Sequence, residues 1–192
     1  MPKSNKTLKV IGGIYKGRNL QMAPLEVTRS SKAILKESLF NTLNVGIVGA
    51  YFVEFFAGSG SIGIEALSRG AEFAVFCEQN NKSFAVLESN LKSLCDSKKY
   101  HLIFGDRFAL YPSILEFVKS PCIGYIDPPF SIRKNMQNIY QQCFMMIENL
   151  DNAVFKLIIL ERETNLEIPK SIGAFTHLKT KCFGKSALSY FG

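Results

Sequence analysis

A short apolar run that stops at a glycine turn and restarts as a helix constrains this chain more than any other feature. It spans Tyr51–Ala66, Y-F-V-E-F-F-A-G-S-G-S-I-G-I-E-A. Tyr51 to Phe56 is rich in aromatic and β-branched residues, as suits a buried strand. Ala57-Gly58-Ser59-Gly60 follows, and glycine there permits a tight turn and close approach of a ligand. Ile62 and Ala66 then recur at helical spacing. Strand, glycine loop and helix, in that order, form the mouth of a nucleotide-type cofactor site, with backbone N–H groups presented by the loop.

Read literally, Gly58-x-Gly60-x-x-Gly63 is a dinucleotide fingerprint, with Glu78 placed 20 residues after Gly58. Glu54 argues for a different ligand. A carboxylate four residues before the first glycine repels a pyrophosphate. It suits a cofactor with an ammonium end and no phosphates, and S-adenosylmethionine has an ammonium, a sulfonium and a ribose-adenine. A solvated strand end is the plainer reading of Glu54.

The rest of the chain supplies a sheet for this loop. Lys9–Leu20 alternates apolar pairs with glycines and predicts a β-hairpin with Lys16 and Arg18 near its tip. Ser30 or Ser31 caps a helix to about Leu43, with Leu35, Leu39, Phe40 and Leu43 on one face and Arg29, Lys32 and Lys36 at its start or exposed side. Further strands are expected at Phe73–Cys77, His101–Phe104, Cys122–Ile126 and Val154–Leu160. Asn80 or Asn81 caps the helix after the first of these. Helical pattern near Leu110 takes Pro112 in its first turn. Ile132, Met136, Ile139, Cys143, Ile147 and Leu150 share one face of a long helix. Phe175–Phe183 and Ala187–Phe191 flank Gly184 as a hairpin.

The expected fold is α/β: a mostly parallel, Rossmann-like sheet with helices on both faces and a C-terminal antiparallel hairpin. A basic N-terminal extension, residues 1–45, precedes the main domain, residues 46–192. Glu54, Glu78, Asp106, Asp127 and Glu161 fall at or near strand carboxyl ends, where such sheets bind ligands. The cofactor-binding set is therefore Glu54, Phe56, Ala57, Gly58, Ser59, Gly60, Glu78, Gln79, Asp106 and Arg107. Glu78 is placed for the ribose hydroxyls. Asp106 is placed either for the adenine amine or as a helix N-cap.

Charge adds a second function. Residues 1–36 hold eight Lys/Arg against one acid, Glu26, which is the whole net charge of +7; residues 37–192 are neutral. A basic segment on a neutral domain is the pattern of a nucleic-acid binder, the alternative being a solubilising tail. Lys9, Lys16, Arg18, Arg29, Lys32 and Lys36 are the expected RNA-binding residues. The five cysteines are odd in number and form no C-x-x-C, so they read as reduced thiols of a cytoplasmic protein. With two histidines besides, no metal-ligand spacing emerges. No targeting segment or membrane span is expected.

Asp127-Pro128-Pro129-Phe130 carries the chemistry. Two prolines after a strand fix two φ angles and remove two donors, so the turn offers a carboxylate and carbonyls only. An acceptor-only turn suits an amine, and Phe130 offers a face on which a base can stack. The expected catalytic group is Asp127, Pro128, Pro129 and Phe130, acting on the exocyclic amine of a purine or cytosine; an ordinary proline turn is the bland alternative.

Several stretches are similar to one family: K-V-I-G-G-I-Y-K-G-R-N-L at 9–20, R-S-S-K-A-I-L-K-E-S-L-F-N at 29–41, F-A-G-S-G-S-I-G-I-E-A-L-S-R-G-A at 56–71, Y-I-D-P-P-F at 125–130 and F-G-K-S-A-L-S-Y at 183–190. Together they resemble the RsmD-like bacterial 16S ribosomal RNA (guanine-N2)-methyltransferases, over nearly the whole chain. The resemblance implies a class I S-adenosylmethionine-dependent methyltransferase fold and methylation of N2 of one guanine in 16S ribosomal RNA. It implies the small ribosomal subunit or its RNA as partner, no metal and no membrane; a monomer is expected. Ser30, Ser31 and Ala33 depart from the family's pattern, in the segment expected to dock RNA. An NAD(P)-dependent oxidoreductase, an adenine-N6 or cytosine-N4 methyltransferase and a catalytically silent RNA-binding protein are the alternatives.

Overall fold

The computed structural model describes residues 7–23, 30–129 and 138–192. Among them one eight-stranded sheet dominates. Its parallel half comprises β3 (Tyr51–Glu54), β4 (Phe73–Glu78), β5 (Tyr100–Phe104), β6 (Cys122–Ile126) and β7 (Phe155–Glu163). Its antiparallel half comprises β8 (Ser171–Ile172), β9 (Phe175–Phe183) and β10 (Ser186–Phe191). The spatial order is β5-β4-β3-β6-β7-β10-β9-β8, so the connection from β5 to β6 crosses over β4 and β3. The strand order reverses at β3, and the two neighbouring strand ends, β3 and β6, carry the glycine loop and the D-P-P turn at this switch point.

Alternation along each strand divides the core in two. Phe52, Ala74, Phe76, Tyr125 and Ile159 face one layer, with α1 (Ser30–Leu43), α2 (Ser61–Ser68) and α3 (Asn81–Leu94). Val53, Val75, Cys77, Ile126, Ile158 and Leu160 face the other, with α4 (Arg107–Ile114) and α5 (Ile139–Glu148). Helices on both faces explain why these strands read as nearly continuous apolar runs.

The N-terminal hairpin is β1 (Thr7–Lys9) paired antiparallel with β2 (Asn19–Gln21). It joins the first core layer, since Val10 and Leu20 are buried with Leu35, Leu39 and Phe40 of α1. The hairpin and α1 therefore differ from the remainder in charge while sharing its core. Glu65 of α2, fully buried, fastens them. It accepts the Ile11 amide at 2.8 Å and pairs with Lys36 at 3.0 Å and Arg69 at 2.8 Å. Gly13 has φ +73°, and a Cβ there would lie 1.7 Å from the Ser68 carbonyl oxygen, so the loop meets α2 only as glycine. Asn90 of α3 brackets Gln21, accepting its amide and donating to its carbonyl, both at 2.9 Å.

Two elements differ from their sequence expectation. Helix α4 begins at Arg107 because Asp106 caps it, accepting the Phe108 amide at 3.0 Å; Pro112 then lies in the second turn rather than the first. Strand β7 runs on to Glu163 because β10 pairs with it that far, Ser186 opposite Glu163. Glu161 thus sits inside a strand. The long helix is described from Ile139, and Ile132 and Met136 lie outside the described residues. Among the described residues no helix is long and apolar enough to cross a membrane.

Candidate active site

The glycine loop closes on itself through its amides. Ala57 N–H donates to the Cys77 carbonyl at 2.9 Å and Gly60 N–H to the Ala57 carbonyl at 2.7 Å. Gly58 N–H donates to Glu78 at 2.9 Å, and Gly63 N–H to Glu54 at 2.8 Å. The second Glu78 oxygen accepts the Asn80 amide at 2.7 Å. Gly60 has φ +79°, and a Cβ on it would strike Leu87 at 2.5 Å. A pyrophosphate needs such amides free. Here four of them are occupied, two by carboxylates, so the loop presents negative charge instead of a phosphate cradle.

Of the expected cofactor residues, Ala57, Ser59 and Gly60 are buried, Phe56 and Gly58 half-buried and Gln79 exposed. Glu54 is buried rather than a solvated strand end. Arg107 is 4% exposed and its guanidinium lies 4.0 Å from the Phe56 ring centroid. Its Nε has no hydrogen-bond partner among the described residues. Burial lowers its pKa, while Glu78 and Asp106 oppose that shift. Glu54, Glu78, Asp106 and Arg107 are thus brought to one end of the sheet, at the ends of β3, β4 and β5. A carboxylate-edged loop with an aromatic floor fits a cationic, phosphate-free nucleoside.

The D-P-P turn closes the next strand end. Asp127 is half-buried, Pro128 buried and Pro129 half-buried; Phe130 lies outside the described residues. Asp127 Oδ2 accepts from Lys32 Nζ at 2.9 Å. The same ammonium lies 3.8 Å from Glu161 Oε1, and Tyr125 donates its hydroxyl to Glu161 Oε2 at 2.6 Å. Glu161 is 1% exposed, and its Oε1 has no hydrogen-bond partner among the described residues. Burial, then Asp127, pushes its carboxyl up to about 7 against the opposing pull of Lys32. Burial raises the Tyr125 phenol well above its ordinary value, with Glu161 adding to the shift, so it stays a donor.

One expected RNA-binding residue is buried, and another makes an ion pair. Lys36 is 8% exposed, and besides Glu65 it donates to the Lys9 carbonyl at 3.0 Å and the Ser61 carbonyl at 3.3 Å. Lys32 turns toward Asp127 and Glu161. One turn apart on α1, both are paired with carboxylates, Lys36 buried and Lys32 at the exposed start of the helix. Lys9, Lys16 and Arg18 are exposed on the hairpin, and Arg29 lies outside the described residues. The reading of the site residues omitted Tyr125 and Glu161. Register was the available signal: Tyr125 lies opposite Ile159, so Asp127 and Glu161, each two residues further on, fall side by side on the same face.

Comparison with known proteins agrees with this architecture. The family model described as "Conserved hypothetical protein 95" matches residues 8–192. "Putative rRNA methyltransferase YlbH" of Bacillus subtilis is 28% identical over 187 residues, covering 96% of this chain and 98% of that protein. "Ribosomal RNA small subunit methyltransferase D" of Haemophilus influenzae is 33% identical over 149 residues, 74% of each chain. The solved structure of "Putative methyltransferase yhhF" from Escherichia coli superposes with a TM-score of 0.74 at 28% identity, over 97% of both chains.

Proposed function

The chain belongs to the conserved hypothetical protein 95 family, the RsmD-like methyltransferases, and from that premise we propose that it methylates the N2 amine of a guanine in 16S ribosomal RNA, with S-adenosylmethionine as cofactor. The observation that carries this reading is the ammonium of Lys32 at 2.9 Å from Asp127. A nitrogen donor already rests against an acceptor-only turn at the end of the strand beside the glycine loop.

S-adenosylmethionine, when bound, supplies a methyl group activated by a sulfonium. Glu54 and Glu78 set the negative charge that favours it, and the occupied loop amides disfavour NAD. Glu78 would take the ribose hydroxyls, Asp106 the adenine amine through the oxygen not capping α4, and Phe56 with Arg107 would wall the pocket. Asp127 and the Pro128 carbonyl accept the two hydrogens of the target amine. That fixes the nitrogen, whose lone pair is otherwise delocalised into the ring, in a pyramidal geometry facing the methyl donor. Phe130 would stack the base. Positioning of this kind can supply much of an acceleration. The amine becomes strongly acidic as it is alkylated, so its proton passes to Asp127 or to water without a histidine or cysteine base.

The phosphate backbone would be held by Lys9, Lys16 and Arg18, with Arg29 the fourth candidate; the protein acts as a monomer in the cytoplasm. The test is transfer of labelled methyl from S-adenosylmethionine onto 16S RNA and onto small subunits lacking native modification, with the product nucleoside identified. N2-methylguanosine is expected. N6-methyladenosine, N4-methylcytosine or no transfer would overturn the reading.

A further inference from the structure

Glu161 has a position that the proposed transfer does not use. Its carboxylate is 1% exposed, beside Asp127 at the end of the adjoining parallel strand. Tyr125 holds one oxygen at 2.6 Å, and the other has no hydrogen-bond partner among the described residues. Two neighbouring buried or half-buried carboxylates repel each other, and a buried oxygen without a hydrogen bond is costly. Lys32, whose side chain is 47% exposed, lies over both, 2.9 Å from Asp127 and 3.8 Å from Glu161. The arrangement calls for two adjacent donors, and a flexible surface lysine covers the place.

Resting on guanine-N2 methylation as the reaction, we infer that Glu161 Oε1 accepts the N1–H of the target guanine while Asp127 holds its N2 amine, making Glu161 the residue that selects guanine. Guanine presents N1–H and the N2 amine side by side. Adenine and cytosine place a ring acceptor next to their exocyclic amine, and that acceptor would face the Glu161 carboxylate. A buried group built to pair with a donor rejects an analogue lacking it far more strongly than an apolar pocket rejects a missing methylene. Lys32 withdraws as the base enters, and the two donors of the guanine edge replace its ammonium between the carboxylates.

The test compares guanosine with 2-aminopurine riboside, which keeps the exocyclic amine at C2 but has an acceptor at N1. Each is placed by ligation at the methylated position of 16S RNA, assembled into small subunits. Wild type should prefer guanosine by roughly a thousandfold or more in kcat/KM. In Glu161→Gln, Tyr125 claims the amide oxygen, so the amide NH2 takes the place of Oε1 and can donate to the N1 acceptor. The preference should fall to about tenfold or less. Cofactor affinity and thermal unfolding of the variant check that it folds, and the wild-type comparison needs no variant. If wild type accepts 2-aminopurine within tenfold of guanosine, or Glu161→Gln keeps the wild-type preference while guanosine is methylated, the inference alone is overturned. Absence of methylation of guanosine by wild type would overturn the proposed function and the inference with it.

Discussion

Glu78 and Gly58, 20 residues apart, are joined by a 2.9 Å hydrogen bond from the loop amide to the carboxylate. The end of β4 thereby sets the shape of the loop after β3, while Glu78 also holds Asn80, the N-cap of α3. One side chain fixes both turns that border the proposed cofactor pocket. Glu78→Ala leaves two amides without their acceptor and removes the proposed ribose contact. S-adenosylmethionine should then bind roughly 1–3 kcal/mol more weakly, about 5- to 150-fold in Kd. Calorimetry measures this, and an unchanged Kd would take Glu78 out of the site.

Asp127→Ala should abolish methyl transfer and leave cofactor affinity within a few-fold. The side chain pairs with Lys32. That ion pair is part-exposed, so its loss should cost about 0–1 kcal/mol of stability and the protein should remain folded. Single-turnover transfer should drop by at least about a hundredfold, because the amine loses a positioning acceptor. A variant turning over at near wild-type rate would mean that the turn does not hold the amine.

Glu161 predicts an unusual dependence of stability on pH. Its carboxyl is raised from 4.5 to about 7, chiefly by burial and then by Asp127. The folded state therefore binds a proton more tightly than the unfolded one. The resulting stabilisation is complete below about 4.5 and is lost as pH rises through about 7. Between pH 5 and 8 wild type should lose about 2–3 kcal/mol more than Glu161→Gln, which cannot titrate. Urea unfolding across that range gives the comparison. Parallel curves for the two proteins would show that Glu161 titrates as an ordinary carboxyl.

The parallel sheet was legible because its strands are buried on both faces and each is followed by a turn or cap of distinct chemistry. Asn80 caps α3 and Asp106 caps α4, where short polar side chains at strand ends pointed. Lys36, expected at the start or on the exposed side of α1, is buried instead. Its spacing of four from Lys32 puts both on one side of α1, but local sequence does not tell whether that side meets solvent or a buried carboxylate. Its partner, Glu65, lies far along the chain. Glu65 itself gave no signal, since an acid in a helix usually marks its solvent face. Only the hairpin laid across α2 turns it into a buried anchor. Glu161 was visible as an acid in phase with the other strand ends, yet its role depends on Asp127 being its neighbour across β6 and β7.

With Lys36 buried and Lys32 held against Asp127, the exposed cations of the hairpin among the expected RNA contacts are Lys9, Lys16 and Arg18. Lys16 and Arg18 flank Gly17 in the hairpin loop, where the described hydrogen bonds are made by backbone groups, such as Arg18 N–H to the Tyr15 carbonyl at 3.1 Å. Their side chains can therefore be removed with little disturbance of the fold. RNA affinity should fall with salt with a log–log slope of roughly 0.7 per phosphate neutralised on single-stranded RNA. Changing Lys16 and Arg18 together to alanine should weaken binding and flatten that slope by about one to one and a half units. S-adenosylmethionine affinity should be unchanged, because Glu54, the glycine loop and Glu78 stand at the ends of β3 and β4, whereas both side chains belong to the hairpin loop. Binding across a salt series for wild type and the double variant provides the measurement. Equal slopes would make the hairpin a structural element, and RNA would then have to dock on another surface, Arg133 and Lys134 after the D-P-P-F turn being the next candidates.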